Sequence, residues 1–404
     1  MTRNFKLLVR DIAQDKSMVL FCGAGINCDI NVQLSWPAVI ETPFRLAINH
    51  IAREKGLNDS ERMILHNIFS SKVDEQSLSN SSLRLRYDAA NDFPYEIRSA
   101  ILKAVHSRQY IPLLQEYIYS KCNKQMIRAS FIDHYADNDK KDKTHPIKGY
   151  ETPKDESPHP SFHTLYILAK FILLYDKVEA IVTYNYDNFL TEAIILLAKH
   201  PEQFFYKPEY ERLIERWGKN NAGGLNVRVV DIYGKTYDVT IRKNYIPVFH
   251  VHGFIPPPGW SRNCESSSIV FSQDEYCDTV TNVQTWQNST QMHNLCHYTC
   301  LFAGSSMTDL TVKRMIDFAR NNGNEENIYN LDVQNIMPQG LKGEALEYAR
   351  GKKLLSDLKR DYLANVGVKP IAYPGNHLEL YEEFGKTLYL KSANKLKGQR
   401  RERN

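Results

Sequence analysis

The stretch Ser17-Met-Val-Leu-Phe-Cys-Gly-Ala-Gly-Ile-Asn27 decides the fold class. Ser17–Cys22 is a short apolar run without polar alternation, the pattern of a strand buried on both faces of a parallel sheet. It ends at Gly23-Ala24-Gly25-Ile26-Asn27. Glycines after a first strand let the backbone approach a pyrophosphate and point amide N–H groups at it. The full dinucleotide fingerprint wants a further Gly or Ala, and position 28 is Cys. An ordinary tight strand-to-helix turn fits these residues equally well.

Working outward, Phe5, Leu8, Val9 and Ile12 have helical spacing and predict a helix over 4–14. Trp36-Pro37 opens a helix to about Glu54, with Pro tolerated in the first turn and Gly56 beyond its end. Residues 57–135 show helical periodicity at 60–69, 94–105 and 112–122 and no strand pattern, which predicts a helical insertion. Residues 137–160 hold six acids and five bases with almost no apolar residues and read as a flexible loop. Alternation then resumes: a helix over 162–174, a strand over 179–184 and a helix over 188–199. A hairpin is expected from 225–233 and 236–242 around Gly234-Lys235. Strands follow at 247–251, 268–271, 299–303, 327–331 and 369–373, then a helix over 377–388. Strands alternating with helices predict an α/β fold, a mostly parallel sheet with helices on both faces.

Three further segments sit where such a sheet binds ligands, at strand carboxyl ends. In Thr183-Tyr-Asn-Tyr-Asp187, Asn185 offers a donor and an acceptor, and Asp187 can cap the following helix or orient Asn185. In Phe249-His-Val-His-Gly253, alternation puts His250 and His252 on one face. An imidazole at the mouth of the sheet is the natural general base. In Phe302-Ala-Gly-Ser-Ser-Met-Thr-Asp309, Gly304, Ser305 and Ser306 permit close approach of a second phosphate or ribose. Ser306 or Thr308 can equally cap a helix.

The series Gly-Ala-Gly-Ile, Thr-Tyr-Asn-Tyr-Asp, His-Gly and Ala-Gly-Ser-Ser-x-x-Asp resembles the sirtuin-like domain of bacterial antiphage defence proteins. Pro160-Ser-Phe-His-Thr-Leu165, Ser272-Gln-Asp-Glu-Tyr276 and Lys369-Pro-Ile-Ala-Tyr-Pro374 agree with it. Length and the lack of appended domains look most like the sirtuin-like subunit that works with a HerA-type ATPase. The resemblance implies a Rossmann-like NAD-binding domain over 1–56 and 151–390, interrupted by a helical region with its charged loop over 57–150 and followed by a tail over 391–404. It implies NAD hydrolysis to nicotinamide and ADP-ribose, with Asn185 and His252 catalytic. Gly23, Ala24, Gly25, Ile26, Asn27, Trp36, Asp187, Gly304, Ser305, Ser306 and Asp309 would bind the dinucleotide. A non-catalytic NAD or ADP-ribose binding module that signals through a partner is the alternative, and a protein deacylase a weaker one. The deacylases' four-Cys zinc module is not matched here, and Asn31-Val-Gln-Leu-Ser-Trp36 stands where they carry Gly-Ile-Pro-Asp-Phe-Arg. No metal or cofactor beyond NAD as substrate is expected.

Composition sets the remaining limits. Seven cysteines at irregular spacing, with no CxxC pair, argue against a disulfide framework or a zinc ribbon and fit a reducing cytoplasm. Cys296 and Cys300, four apart, can share a helix face, but they read first as two small buried core residues. The apolar run 164–175 is broken by Lys170 and too short to span a bilayer. The net charge is +4, but residues 391–404 hold six basic groups and one acid, leaving −1 for residues 1–390. Nucleic-acid contact is thus expected only through the basic tail. A homo-oligomer docked on a HerA-like hexameric ATPase is expected, with the insertion, through Tyr110, Tyr117 and Tyr119 as exposed aromatics, as one restraining or docking surface, or alternatively as a lid on the nicotinamide pocket within one subunit, and the tail as another docking surface.

Overall fold

The computed structural model describes residues 2–27, 36–61, 95–106, 110–139, 163–234, 244–259, 269–270, 275, 285–307, 309–322, 327–334, 343–374, 380–381 and 384–385. Seven strands form one all-parallel sheet in the order β3-β4-β2-β1-β5-β6-β7. They are β1 (Met18–Cys22), β2 (Val178–Thr183), β3 (Arg228–Ile232), β4 (Tyr245–His250), β5 (Thr299–Ala303), β6 (Ile328–Gln334) and β7 (Val368–Pro374). This is a Rossmann-like α/β architecture. From the central β1 the chain first builds outward through β2, then crosses to β5 on the other side. The strand order therefore reverses at β1 and β5, where open α/β sheets take their ligands.

Pleating divides the core in two. Met18, Leu20 and Cys22 of β1 face one apolar cluster, and Val19 and Phe21 face the other. The first face carries α1 (Arg3–Ala13), α2 (Trp36–Glu54), α3 (Tyr95–His106), α4 (Tyr110–Lys121), α5 (Lys124–Asp139), α6 (His163–Leu174) and α7 (Phe189–Lys199). The one-turn α8 (Pro201–Phe204) and α9 (Lys207–Trp217) extend it. The second face carries α10 (Trp286–His297), α11 (Leu310–Asn321) and α12 (Glu344–Asn365). Thr2 caps α1 by accepting from the Phe5 amide at 3.3 Å. Among the described residues no helix is long and apolar enough to cross a membrane.

Several expectations need correction. Residues 225–233 supply β3, but its partner is β4 in parallel register; the other hairpin arm, 236–242, lies outside the described residues. Ile269 and Val270 are not in a strand, although the Val270 amide donates to His252 O at 2.8 Å. Cys296 is on α10 and Cys300 on β5, so they share no helix face. Residues 137–139 belong to α5; the rest of the expected loop, most of helices 60–69 and 377–388, and the tail fall outside the described residues. Tyr110 and Tyr119 are buried and Tyr117 is half-buried, so they do not form an exposed aromatic surface. Tyr119 instead donates to Ile255 O at 2.7 Å, with Asn188 Oδ1 3.3 Å from the same hydroxyl, and Gln115 donates to Pro256 O at 2.6 Å. Helix α4 thus clamps the segment that follows His252.

Candidate active site

The site is built by sheet register. Cys22 pairs with Thr183 on one side and Ala303 on the other, and Thr183 pairs with His250. Gly23, Tyr184, Val251 and Gly304 are thus the first residues past the last paired row of four adjacent strands. Asn185 and His252 each lie two residues beyond the paired Thr183 and His250. Four segments far apart in sequence therefore meet along one carboxyl edge, at the switch point.

The glycines are needed first by the chain itself. The Gly23 amide donates to Ala303 O at 2.9 Å, the Gly25 amide to Gly304 O at 2.8 Å and the Ile26 amide to Gly23 O at 3.1 Å. A Cβ on Gly25 would stand 2.8 Å from both Cα and O of Gly304. One on Gly304 would stand 2.2 Å from the Ile26 nitrogen, and Gly304 has φ +63°. The one-turn 3₁₀ segment Ala24–Asn27 and the end of β5 thus touch backbone to backbone, which only glycine allows. Trp36 opens α2; its side chain lies outside the described atoms.

Asn185 is held from three sides. Its side-chain amide donates to Gly23 O at 3.3 Å, its backbone N–H donates to Thr183 Oγ1 at 3.1 Å, and its carbonyl lies 3.2 Å from His250 Nδ1. The other ring nitrogen of His250 lies 2.9 Å from Asp231 Oδ1, which also accepts from the Thr191 hydroxyl at 2.6 Å. Both nitrogens of this buried ring therefore face oxygen acceptors. Spacing alone does not reveal Thr191 and Asp231, because residues 225–233 read as a hairpin arm and not as the parallel neighbour of β4.

Asp187 does not orient Asn185. Its Oδ1 accepts from the Phe189 amide at 3.1 Å, and its Oδ2 accepts from Asn27 Nδ2 at 3.0 Å. It caps α7 and ties the Gly-Ala-Gly turn to the Asn motif, while Asn188 at the formal cap makes no side-chain capping bond. Burial pushes the Asp187 carboxyl up to about 6. The Phe189 amide, the His250 charge and the Asn27 amide pull the other way. Burial, helped by Asp187, pushes the Cys22 thiol up to about 12, so it offers no thiolate at neutral pH.

His252 keeps 14% side-chain exposure, with Nε2 3.7 Å from Asp309 Oδ2. Burial moves its pKa below the ordinary 6.5, and Asp309 acts against that. The imidazole is therefore mostly neutral at physiological pH and able to accept a proton. Its ring meets the Tyr184 ring edge-on at 5.1 Å, and Tyr184 donates to Gln291 of α10 at 2.9 Å. Asp309, not Ser306, caps α11, accepting from the amides of Thr311 and Val312; Ser306 is exposed and Thr308 lies outside the described residues. Met307, buried with φ +54°, makes the turn between them.

Among the described residues, Oδ1 of Asn27 and both Oδ1 and Nδ2 of Asn330 on β6 are buried without a hydrogen-bond partner. Asn330 pairs with Phe302, one residue before Ala303. Nothing in the spacing marks it, since an Asn in a short strand looks ordinary. Among the described residues, no cluster of three His, Cys, Asp or Glu is placed to hold a metal.

No curated protein matches this chain. Residues 179–347 match the family model described as the SIR2-like domain. The matched span runs from β2 into the first turn of α12 and includes Asn185, Asp187, His252 and Gly304–Asp309; β1 and the Gly-Ala-Gly turn lie before it. With the all-parallel sheet and its switch point, this match supports a sirtuin-like domain in the chain and, through it, an activity related to NAD.

Proposed function

We propose that the chain hydrolyses the nicotinamide–ribose bond of NAD, releasing nicotinamide and ADP-ribose. The observation that carries this reading is the register that brings Asn185 and a largely neutral His252, each two residues past the last paired row, to one strand edge at the switch point. A module that only bound NAD would need no base at that edge. Nicotinamide leaves without protonation, and the sugar passes through an oxocarbenium-like state. The chain must hold the dinucleotide, orient the ribose and remove a proton from the attacking water. Asn185, immobilised by Gly23 O, Thr183 and His250, can position the ribose or the water. His252 takes the proton. Gly304 to Ser306, Asn27 and the Gly-Ala-Gly turn line the approach of the phosphates.

The wider setting we propose is antiphage defence by depletion of cellular NAD in the cytoplasm, by a homo-oligomer regulated by a HerA-like hexameric ATPase. Its support is the resemblance of the motifs, together with the need to restrain an enzyme that would drain its own cell. The test is to incubate purified protein with NAD, with and without a candidate ATPase and phage DNA, and to separate products by chromatography. Equimolar nicotinamide and ADP-ribose are expected in at least one condition. Binding of NAD with no product in any condition would favour the binding-module alternative.

A further inference from the structure

The helix α12 presents an apolar stripe to solvent. Tyr348, Leu354, Leu355, Leu358 and Tyr362 are 57%, 60%, 68%, 55% and 45% exposed. Buried Leu363 and Arg360 anchor the helix to the body, and Lys313 of α11 reaches over the Tyr362 ring at 5.3 Å, leaving that side chain 45% exposed. At about 100° per residue, positions 348, 351, 355, 358 and 362 fall within an arc of about 80°. Their spacing of three and four is that of the a and d positions of a coiled coil, the pattern that packs against another helix. An apolar stripe of this kind on a surface helix marks an interface.

The one interruption identifies the partner. Position 351 is glycine, exposed in mid-helix, where it costs about 1 kcal/mol relative to alanine. Among the described residues nothing requires it: a Cβ there would meet no atom within 4 Å. If the same helix from a second copy lies antiparallel, a positions face d positions. Setting Leu355 opposite Leu358 then sets Tyr362 opposite Gly351, at both ends of the contact. The bulkiest residue of each seam meets the missing side chain of the other. A parallel pairing would face Gly351 with Gly351 and Tyr362 with Tyr362, leaving a gap and a crowd. We infer that two copies of this chain pair antiparallel through α12, with each Tyr362 seated over the partner's Gly351. The contact is isologous, as in the commonest closed assemblies, and it independently names a surface for self-association, whatever the reaction at the strand edge.

Light scattering of the full chain at micromolar concentration tests this. The expected mass is two chains or an even multiple. Leu355→Glu with Leu358→Glu alters only exposed positions and should weaken the pairing at least about 100-fold. Gly351→Leu should weaken it as well, while leaving the melting temperature of the dissociated chain unchanged or higher, because it improves helix propensity. Adding Tyr362→Ala to Gly351→Leu should restore pairing by exchanging the large and small partners. A monomeric parent chain overturns the inference. So does an assembly indifferent to Leu355→Glu with Leu358→Glu or to Gly351→Leu, a double variant that stays dissociated, or an assembly lost when the chain ends at Leu390.

Discussion

Replacing Asp187 by Asn should make the protein more stable, and by an amount that depends on pH. Burial raises this carboxyl from 3.8 to about 6, so the folded state holds its proton more tightly than the unfolded chain does. Stability from this source is fully present below about pH 4, falls as pH rises from there to about 6, and is then constant. A shift of roughly two units corresponds to about 3 kcal/mol lost above pH 6, of which about half is gone by pH 5. Asparagine keeps the shape and carries no charge to bury. Its side-chain oxygen can accept from the Phe189 amide. The new amide group can donate to Asn27 Oδ1, which has no partner among the described residues, if Asn27 turns over. Any fixed cost of that rearrangement is independent of pH. Urea unfolding of parent and variant at pH 5 and pH 7.5 should therefore show the variant gaining by roughly 1–2 kcal/mol between the two. A difference that stays the same at both pH values, or that shrinks as pH rises, would refute the reasoning.

His252→Ala should lower NAD cleavage by about 10²–10⁴-fold with an unchanged melting temperature; near-normal turnover in a folded variant sinks the assignment. Asn185→Ala should lose cleavage to a similar degree while the protein still folds, read by the same product assay. Because activity needs neutral His252, whose pKa burial holds below 6.5, the rate should persist below pH 6.5 and fall only further into acid. Asp309→Asn keeps a good helix cap but removes the carboxylate that opposes this, so the acid limb of the pH–rate profile should move to lower pH; a shift upward contradicts the role given to Asp309. Gly25→Ala should destabilise the fold by about 1–3 kcal/mol even without NAD, since its Cβ meets Gly304; an unchanged melting temperature with lost NAD affinity would show the position to serve the ligand instead.

The central strands were legible because burial on both faces writes a continuous apolar run; Thr299–Ala303 came out to the residue. The motif residues were legible as types at strand ends, and register brings those segments to one edge. Side-chain partners were not. Nothing in the spacing tells that Asp187 reaches Asn27, 160 positions away, and not Asn185. β3 misled because an edge strand with half-buried residues alternates like a hairpin arm. The α12 helix was missed because its charges and its outward apolar stripe blur the one-sided pattern that marks a helix lying on a core.

The contact of Gly23 and Gly25 with Gly304 has a consequence for how this site can vary. A clash between two side chains can be cured by shrinking either one. Here each of the three positions already carries the smallest residue there is, so a substitution at one has no compensating change at the others. In a library selected for folding alone, with NAD irrelevant to survival, all three should still return as glycine. Invariance at this edge would then report the geometry of two loops, and only the polar residues around them, free to change without unfolding the chain, would carry the record of selection for chemistry.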